Sequence, residues 1–268
     1  MTGEGKIPHF DSPSNPKVKR LVGLRDRKDR NEEKVILVEG LREVERAFQC
    51  GFECAELYIC KDLVSEQGEE LFRDHKSPRR GTLSIAAFVR VAMREGSDGV
   101  IGVFLQKMAT LEHIASKPNP LLLAVEGVEK PGNLGALLRT ADGAGCDGVL
   151  LLDGTVDVFN PNVIRASTGA VFSIPVISVD RAELLTWCKE RDIKIIAGAP
   201  EAKMLYTKAP FSEACVIALG AEDVGLSHEL ESSADYTVYI PMRGIADSLN
   251  VSVTGAIMMY EARRQRER

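Results

Sequence analysis

Apolar positions along the chain fall into two successive series of short runs. In the first series, PKVKRLVGLRDRK (16–28) has a helical pattern opened by Pro16, at a favourable first-turn position. VILVEG (35–40) predicts a buried strand, LREVERAFQCG (41–51) a helix stopped by Gly51, and AELYIC (55–60) a second strand. ELFRDH predicts a helix, TLSIA a strand, AAFVRVAM a helix and DGVIGVFLQ (98–106) a last strand. From 121 the pattern restarts more strongly. LLLAVEGV (121–128), GVLLLD (148–153), SIPVISV (173–179), IKIIAGA (193–199), CVIALG (215–220) and YTVYIPM (236–242) predict strands. Helices fit between and after them, in LGALLRTADGAG (134–145), RAELLTWCKERD (181–192) and SLNVSVTGAIMMYEARRQ (248–265).

Alternation of helices with fully apolar strands predicts an α/β fold with a mostly parallel sheet covered on both faces. The polar, Pro-containing residues 1–15 suggest a mobile arm, 16–106 a compact α/β unit, 107–120 a linker ending in Pro118-Asn119-Pro120, and 121–268 a second α/β domain.

Composition narrows the class. Of 268 residues, 44% are hydrophobic and 27% charged, which excludes a mainly disordered chain. No apolar run approaches the roughly 20 residues of a membrane span, so no membrane partner is expected. The N-terminal stretch has no apolar segment of the kind a secretory signal needs. The six cysteines are scattered, which suits reduced thiols and a cytoplasmic location better than a disulfide framework.

Charge is uneven beneath the net value of −5. Residues 1–110 carry 19 Lys and Arg against 18 acids, whereas 111–268 carry 15 against 21. Between Lys17 and Lys34 eight basic residues face four acids, a local patch able to meet phosphates. A solvated helix face is the alternative explanation of that run.

Several familiar chemistries are absent. Gly143, Gly145 and Gly148 match the letters of a dinucleotide fingerprint, but they end a helix and precede a strand. They therefore suit a helix C-cap and tight turn, and an NAD-type oxidoreductase is not supported. There is no phosphate-binding Walker loop, no hydrolase nucleophile elbow and no Cys/His spacing for a metal.

Three Gly-containing polar loops that follow strands are more informative. The first, Glu126 to Thr140, turns through Pro131-Gly132-Asn133 into a helix that carries Arg139. The second, Ala218 to Ser227, brackets Glu222 between Gly220 and Gly225. The third, Ile240 to Ser252, leads through Arg243-Gly244 to Ser248 and Asn250 at the start of an apolar helix. Ligands of open α/β sheets bind outside the strands' carboxyl ends, where such loops lie.

Taken in order, PGNLGALLRTA, ALGAEDVGLS and IPMRGIADSLNVSVTGAI closely resemble the three motifs of the SpoU/TrmH family of RNA ribose 2′-O-methyltransferases, of the SPOUT class. FNPNVIRASTGAVFSIPV (159–176) is similar to the family's segment between its first two motifs. The resemblance covers 121–268. Residues 1–105 look like the family's optional L30e-like substrate-binding domain, through NPKVKRLVGL and VEGLREVERA.

That resemblance implies a trefoil knot near the C-terminus, S-adenosylmethionine as cofactor and a homodimer formed through the catalytic domain. It assigns catalytic functions to Asn133, Arg139, Glu222, Ser248 and Asn250. Cofactor contacts fall on Gly198 and Ala199, on Leu219 and Gly220, and on Ile240, Met242 and Leu249. RNA contacts are expected from Lys17, Lys19, Arg20, Arg25 and Arg27, with Arg165 as a further phosphate ligand. The expected reaction is methylation of a ribose 2′-hydroxyl, in large-subunit ribosomal RNA before transfer RNA. A non-catalytic RNA-binding or ribosome-associated protein is the alternative, against which the complete polar set stands.

Overall fold

A computed structural model describes residues 7–75, 77–152, 156–221 and 224–267. The chain divides into two compact units: residues up to 107 together with 159–172, and residues 108–158 together with 173–268.

The first unit is built on a five-stranded sheet. Its strands are β1 (His9–Phe10), β2 (Val35–Glu39), β3 (Cys54–Ile59), β4 (Arg79–Leu83) and β5 (Val100–Leu105), in the order β1-β4-β3-β5-β2. Helices α1 (Pro16–Gly23), α2 (Arg27–Glu33), α3 (Leu41–Gln49), α4 (Glu66–Asp74) and α5 (Ile85–Val91) connect them. Val18, Leu21 and Leu24 pack with Phe88 and Val91 of α5 over Leu37, Tyr58 and Ile101, making one apolar core.

Three expectations change here. The arm is tied down: His9 and Phe10 pair in parallel with Thr82 and Leu83, and the Ser84 hydroxyl donates to the Asp11 carbonyl at 2.7 Å. The helix expected over 16–28 breaks into α1 and α2. Arg25 leaves the helical path and its guanidinium donates to the carbonyls of Arg90 and Val91 at 2.8 and 2.6 Å, satisfying the free end of α5.

The third change concerns 159–172, which sequence pattern kept with the second domain. This segment, with α7 (Pro161–Ala166), packs within the first unit. Phe52 meets Phe159 and Phe172 edge-on at 6.5 and 5.0 Å, and Arg46 of α3 donates to the Thr168 hydroxyl at 2.9 Å. Gly169, at φ +83°, lies so near α3 that a Cβ would stand 3.0 Å from Arg46 Cδ.

The second unit is a sheet of seven strands. They are β6 (Leu121–Glu126), β7 (Gly148–Leu152), β8 (Val176–Val179), β9 (Lys194–Gly198), β10 (Met204–Leu205), β11 (Cys215–Leu219) and β12 (Tyr236–Tyr239). Their order is β10-β12-β9-β11-β6-β7-β8, and every pairing is parallel. Helices α6 (Pro131–Ala144), α8 (Arg181–Glu190), α9 (His228–Ser232) and α10 (Val251–Arg266) cover it.

Strand residues alternate between two dry faces. Leu122, Ala124, Leu150, Ile195, Val216 and Ala218 meet Leu184 and Trp187 of α8 and Leu230 of α9. On the other face α6 and α10 pack on each other, α10 on β11 and β6, and α6 on β7. Gly255 makes that contact close, since a Cβ there would stand 2.6 Å from Leu137 Cδ2. Gly145 ends α6 in the left-handed region at φ +69°, as its place after an apolar helix implied. The linker expectation needs revision, because Ile114 is 1% exposed and buried in this unit's core.

The C-terminal end of α10 is fastened by Arg266, whose guanidinium donates to the carbonyls of Phe211, Asn119 and Pro120 at 2.8, 2.8 and 3.1 Å. Those carbonyls precede β6 and β11, so the amino edge of these strands is fixed to the end of α10.

Candidate active site

Because the strands are parallel and in register, their carboxyl ends lie along one edge. Leu219 of β11 pairs with Val125 of β6, Ala218 with Ala197 of β9, and Gly198 with Val238 of β12. The chain leaving β12, β9, β11 and β6 therefore emerges as four neighbouring loops.

Three of these loops, with the start of α10, enclose a cavity of about 280 Å³. Gly198 and Ala199 line it from β9, Leu219 and Gly220 from β11, and Ile240, Met242, Ser248 and Leu249 from the segment after β12. Two of these positions are tightly packed glycines, and at Gly220 glycine is required. A Cβ on Gly198 would stand 2.9 Å from Leu219 Cδ2 and 3.2 Å from the Met258 sulfur. A Cβ on Gly220 would stand 2.0 Å from the Gly225 carbonyl carbon, so the loop's own backbone fills that space.

Sequence pattern missed other walls of the cavity: Ala221 and Gly225 on the β11 loop, Asp247 before Ser248, and Thr254 and Met258 on α10. Thr254 and Met258 are four residues apart, so they share one helix face. That spacing after Asn250 was the available signal.

Beside the cavity stands an asparagine pair. Asn250 lies between the cavity-lining residues Leu249 and Val251 and caps α10, accepting from the Ser252 N–H at 2.9 Å. Its amide donates to Asn133 Oδ1 in the first turn of α6 at 3.3 Å. Residues 117 positions apart thus meet at the ends of two packed helices. Arg139 is exposed on α6, six residues and about 9 Å further along the helix axis.

Not every expected residue belongs to this constellation. Glu222 lies outside the described residues. Arg165 is on α7 in the first unit, exposed, with its guanidinium on Asn162 Oδ1 at 3.0 Å.

The basic run divides in the same way. Arg20 reaches Glu33 at 2.9 Å and Glu56 at 3.1 Å, and Lys17 lies 3.5 Å from Glu56. Glu56 is 1% exposed. Burial raises its acidity constant's pKa, but the Tyr58 hydroxyl together with Arg20, Lys17 and Arg79 outweighs that and holds the carboxyl below the usual range. Arg25 is committed to α5. Lys19 and Arg27 are exposed, as is Lys28.

Thiol chemistry gains no support. Burial pushes Cys146 and Cys188 up to about 12 and Cys54 and Cys215 up to about 11, keeping these thiols protonated near neutrality. No group of three or more His, Cys, Asp or Glu able to hold a metal is present among the described residues.

A two-unit α/β protein with a glycine-walled cavity at the carboxyl edge of a parallel sheet, and polar helix starts beside it, has the build of a ligand-binding α/β enzyme. The chain belongs to the SpoU rRNA methylase family, whose profile matches residues 120–260. Residues 15–102 match the MRM3-like substrate binding domain. The chain is similar to the 23S rRNA (guanosine(2553)-2′-O)-methyltransferase RlmP of Bacillus subtilis (strain 168), 31% identical over 261 residues, covering 96% of this chain and all of that protein. It is 38% identical to a crystal structure of an RNA 2′-O ribose methyltransferase, at a TM-score of 0.87, covering 97% of this chain and 99% of that one. An AdoMet-bound rRNA methyltransferase from Sinorhizobium meliloti matches at 30% identity and TM-score 0.87, over 97% and 98% of the two chains.

The geometry at Gly220 makes a direct prediction. Gly220→Ala should weaken S-adenosylmethionine binding more than tenfold in isothermal titration, because backbone, not a movable side chain, occupies the Cβ position. Retained affinity would show that the loop relaxes without moving the cavity wall.

Proposed function

We propose that this protein transfers a methyl group from S-adenosylmethionine to the 2′-hydroxyl of a ribose in large-subunit ribosomal RNA. The observation that carries this reading is the Asn133–Asn250 pair beside the glycine-walled cavity. The cavity suits the cofactor: Gly198 and Gly220 let main chain approach an adenine edge, while Leu219, Ile240 and Met258 offer apolar surface to its faces. Relatives named for 23S rRNA 2′-O-methylation, aligned along nearly the whole chain, support the RNA substrate.

S-adenosylmethionine supplies a methyl group already activated by a sulfonium leaving group. The residues of this chain must then orient the ribose and stabilise its oxygen as the proton departs. Asn133 and Asn250, each restricted by the other, orient the nucleotide. A guanidinium keeps its proton to very high pH, so Arg139 serves best as electrostatic partner of the developing alkoxide and adjacent phosphate, with the proton passing to phosphate or water. Glu222 and Ser248 are assigned to positioning. Arg139→Ala should lower single-turnover methyl transfer at least a hundredfold while S-adenosylmethionine affinity stays within threefold. A near-normal rate would remove Arg139 from this role.

The first unit, an L30e-like platform in this reading, holds the RNA. Since Arg20 and Arg25 serve the fold, the phosphate contacts fall on exposed Lys19, Arg27 and Lys28, with Arg165. Replacing Lys19 and Lys28 together by alanine should flatten the slope of log affinity for RNA against log salt by about 2, with unchanged melting temperature. An unaltered slope would identify the run as a solvated face.

The active form in this reading is a homodimer. Val253 and Tyr260 are 46% and 54% exposed and, with Ala256 and Ile257, form one stripe along α10. A second copy would bury it. Light scattering should give twice the chain mass, and Val253→Arg should give the single mass. A wild-type monomer at micromolar concentration would contradict the dimer. The buried thiols of Cys54, Cys60, Cys146, Cys188 and Cys215 support a reducing, cytoplasmic setting. The interleaved parallel order of the second sheet supports a trefoil knot near the C-terminus, which an electron-density trace of the chain after β11 tests.

A further inference from the structure

The loops after β6 and β11 are joined at two points that the roles above do not use. Glu126, the last residue of β6, is 6% exposed, and its Oε2 accepts from the backbone N–H of Ser227 at 2.6 Å. Its Oε1 accepts from Arg181 Nε at 2.9 Å, and the same guanidinium reaches Glu229 Oε2 at 2.9 Å. Next to it, Gly127 adopts φ +67°, where a Cβ would stand 3.2 Å from the Ala221 Cβ.

Both contacts bear on the cavity wall. Ala221 and Gly225 line the cavity and are joined by a Gly225 N–H to Ala221 carbonyl bond at 3.0 Å. Ser227 follows two residues later, so the Glu126 carboxylate holds the chain just beyond the wall residue Gly225. The hydrogen bond is charge-assisted and largely removed from water, which makes it stronger than an ordinary loop contact. The Glu126 chain also leads directly through Gly127 into Pro131-Gly132-Asn133.

We propose that Glu126 is a positioning residue for the cofactor: by holding the Ser227 N–H it sets the wall residues Ala221 and Gly225 in register with the asparagine pair. The role rests on the cofactor reading of the cavity. Loops open locally at lower free energy than the whole domain. Releasing this tether therefore makes the ligand bear the ordering of its own wall, and affinity suffers more than global stability.

Ser227 allows the tether to be cut from its other side. Its φ of −62° suits proline, which lacks the N–H, whereas alanine keeps the N–H and removes only the hydroxyl that caps α9. Glu126→Ala and Ser227→Pro should each weaken S-adenosylmethionine binding about tenfold by isothermal titration, and Ser227→Ala less than twofold. The Glu126→Ala/Ser227→Pro double variant should bind no more weakly than either single one, since both remove the same bond. In turnover, KM for S-adenosylmethionine should rise about tenfold in Ser227→Pro while kcat falls less than threefold. Affinity within twofold of wild type in both single variants, or additive losses in the double, would overturn the role. A wild-type protein that binds no S-adenosylmethionine would instead overturn the cofactor reading, and this role with it.

Discussion

At Gly220 the main chain turns back so tightly that a side-chain carbon would collide with the carbonyl of Gly225. That close approach is possible because β11 ends in register with β9 and β6, delivering Leu219 and Gly220 to the sheet edge beside Gly198 and Glu126. A parallel sheet buried on both faces has little freedom of register, since a one-residue slip would turn every apolar side chain of β11 to the wrong layer. The sheet thus fixes where four loops begin, and the glycines decide how near their backbones come. The asparagine pair depends on the same constraint, because Asn133 and Asn250 open two helices that leave adjoining parts of that edge and pack through Gly255.

Charge is deployed quite differently in the two units. In the first, much of the basic run is internal structure: Arg30 is 1% exposed and donates to the Leu24 carbonyl at 2.8 Å, Arg25 caps α5, and Arg20 and Lys17 surround buried Glu56. Buried guanidinium groups need several acceptors to offset lost hydration, and helix ends supply carbonyls for that purpose. What remains for an RNA surface is a smaller set of exposed side chains than the charge count implies. In the second unit the cavity wall is mostly apolar and main-chain, and Asp247 is the acidic residue among its described lining residues.

Legibility in the sequence followed from how local each signal was. Strands such as Cys215–Leu219 and the helix stop at Gly145 were readable because an apolar run or a left-handed glycine is a property of the segment itself. All seven cofactor residues that the family resemblance implied line one cavity, on loops whose strand ends and glycines mark the sheet edge. Signals that depended on distant partners were not readable. The break between α1 and α2 follows from Arg25 reaching α5, 65 residues away, and strand His9–Phe10 exists through its pairing with Thr82 and Leu83. The membership of 159–172 in the first unit rests on Phe52 and Arg46, which no local pattern connects to Phe159 or Thr168. Glu126 opened the first polar loop in the sequence with no role assigned, because its partner is a backbone N–H, which leaves no trace in residue type.

The central claim is that the methyl acceptor is a ribose oxygen. The most direct measurement is to incubate the protein with methyl-tritiated S-adenosylmethionine and large-subunit ribosomal RNA lacking the modification, then hydrolyse the RNA with alkali. A 2′-O-methyl group blocks attack on the adjoining phosphodiester, so the account predicts tritium in an alkali-resistant dinucleotide. Tritium released in a mononucleotide would place the methyl group on a base, and no incorporation would mean that the chain is not a methyltransferase toward this RNA.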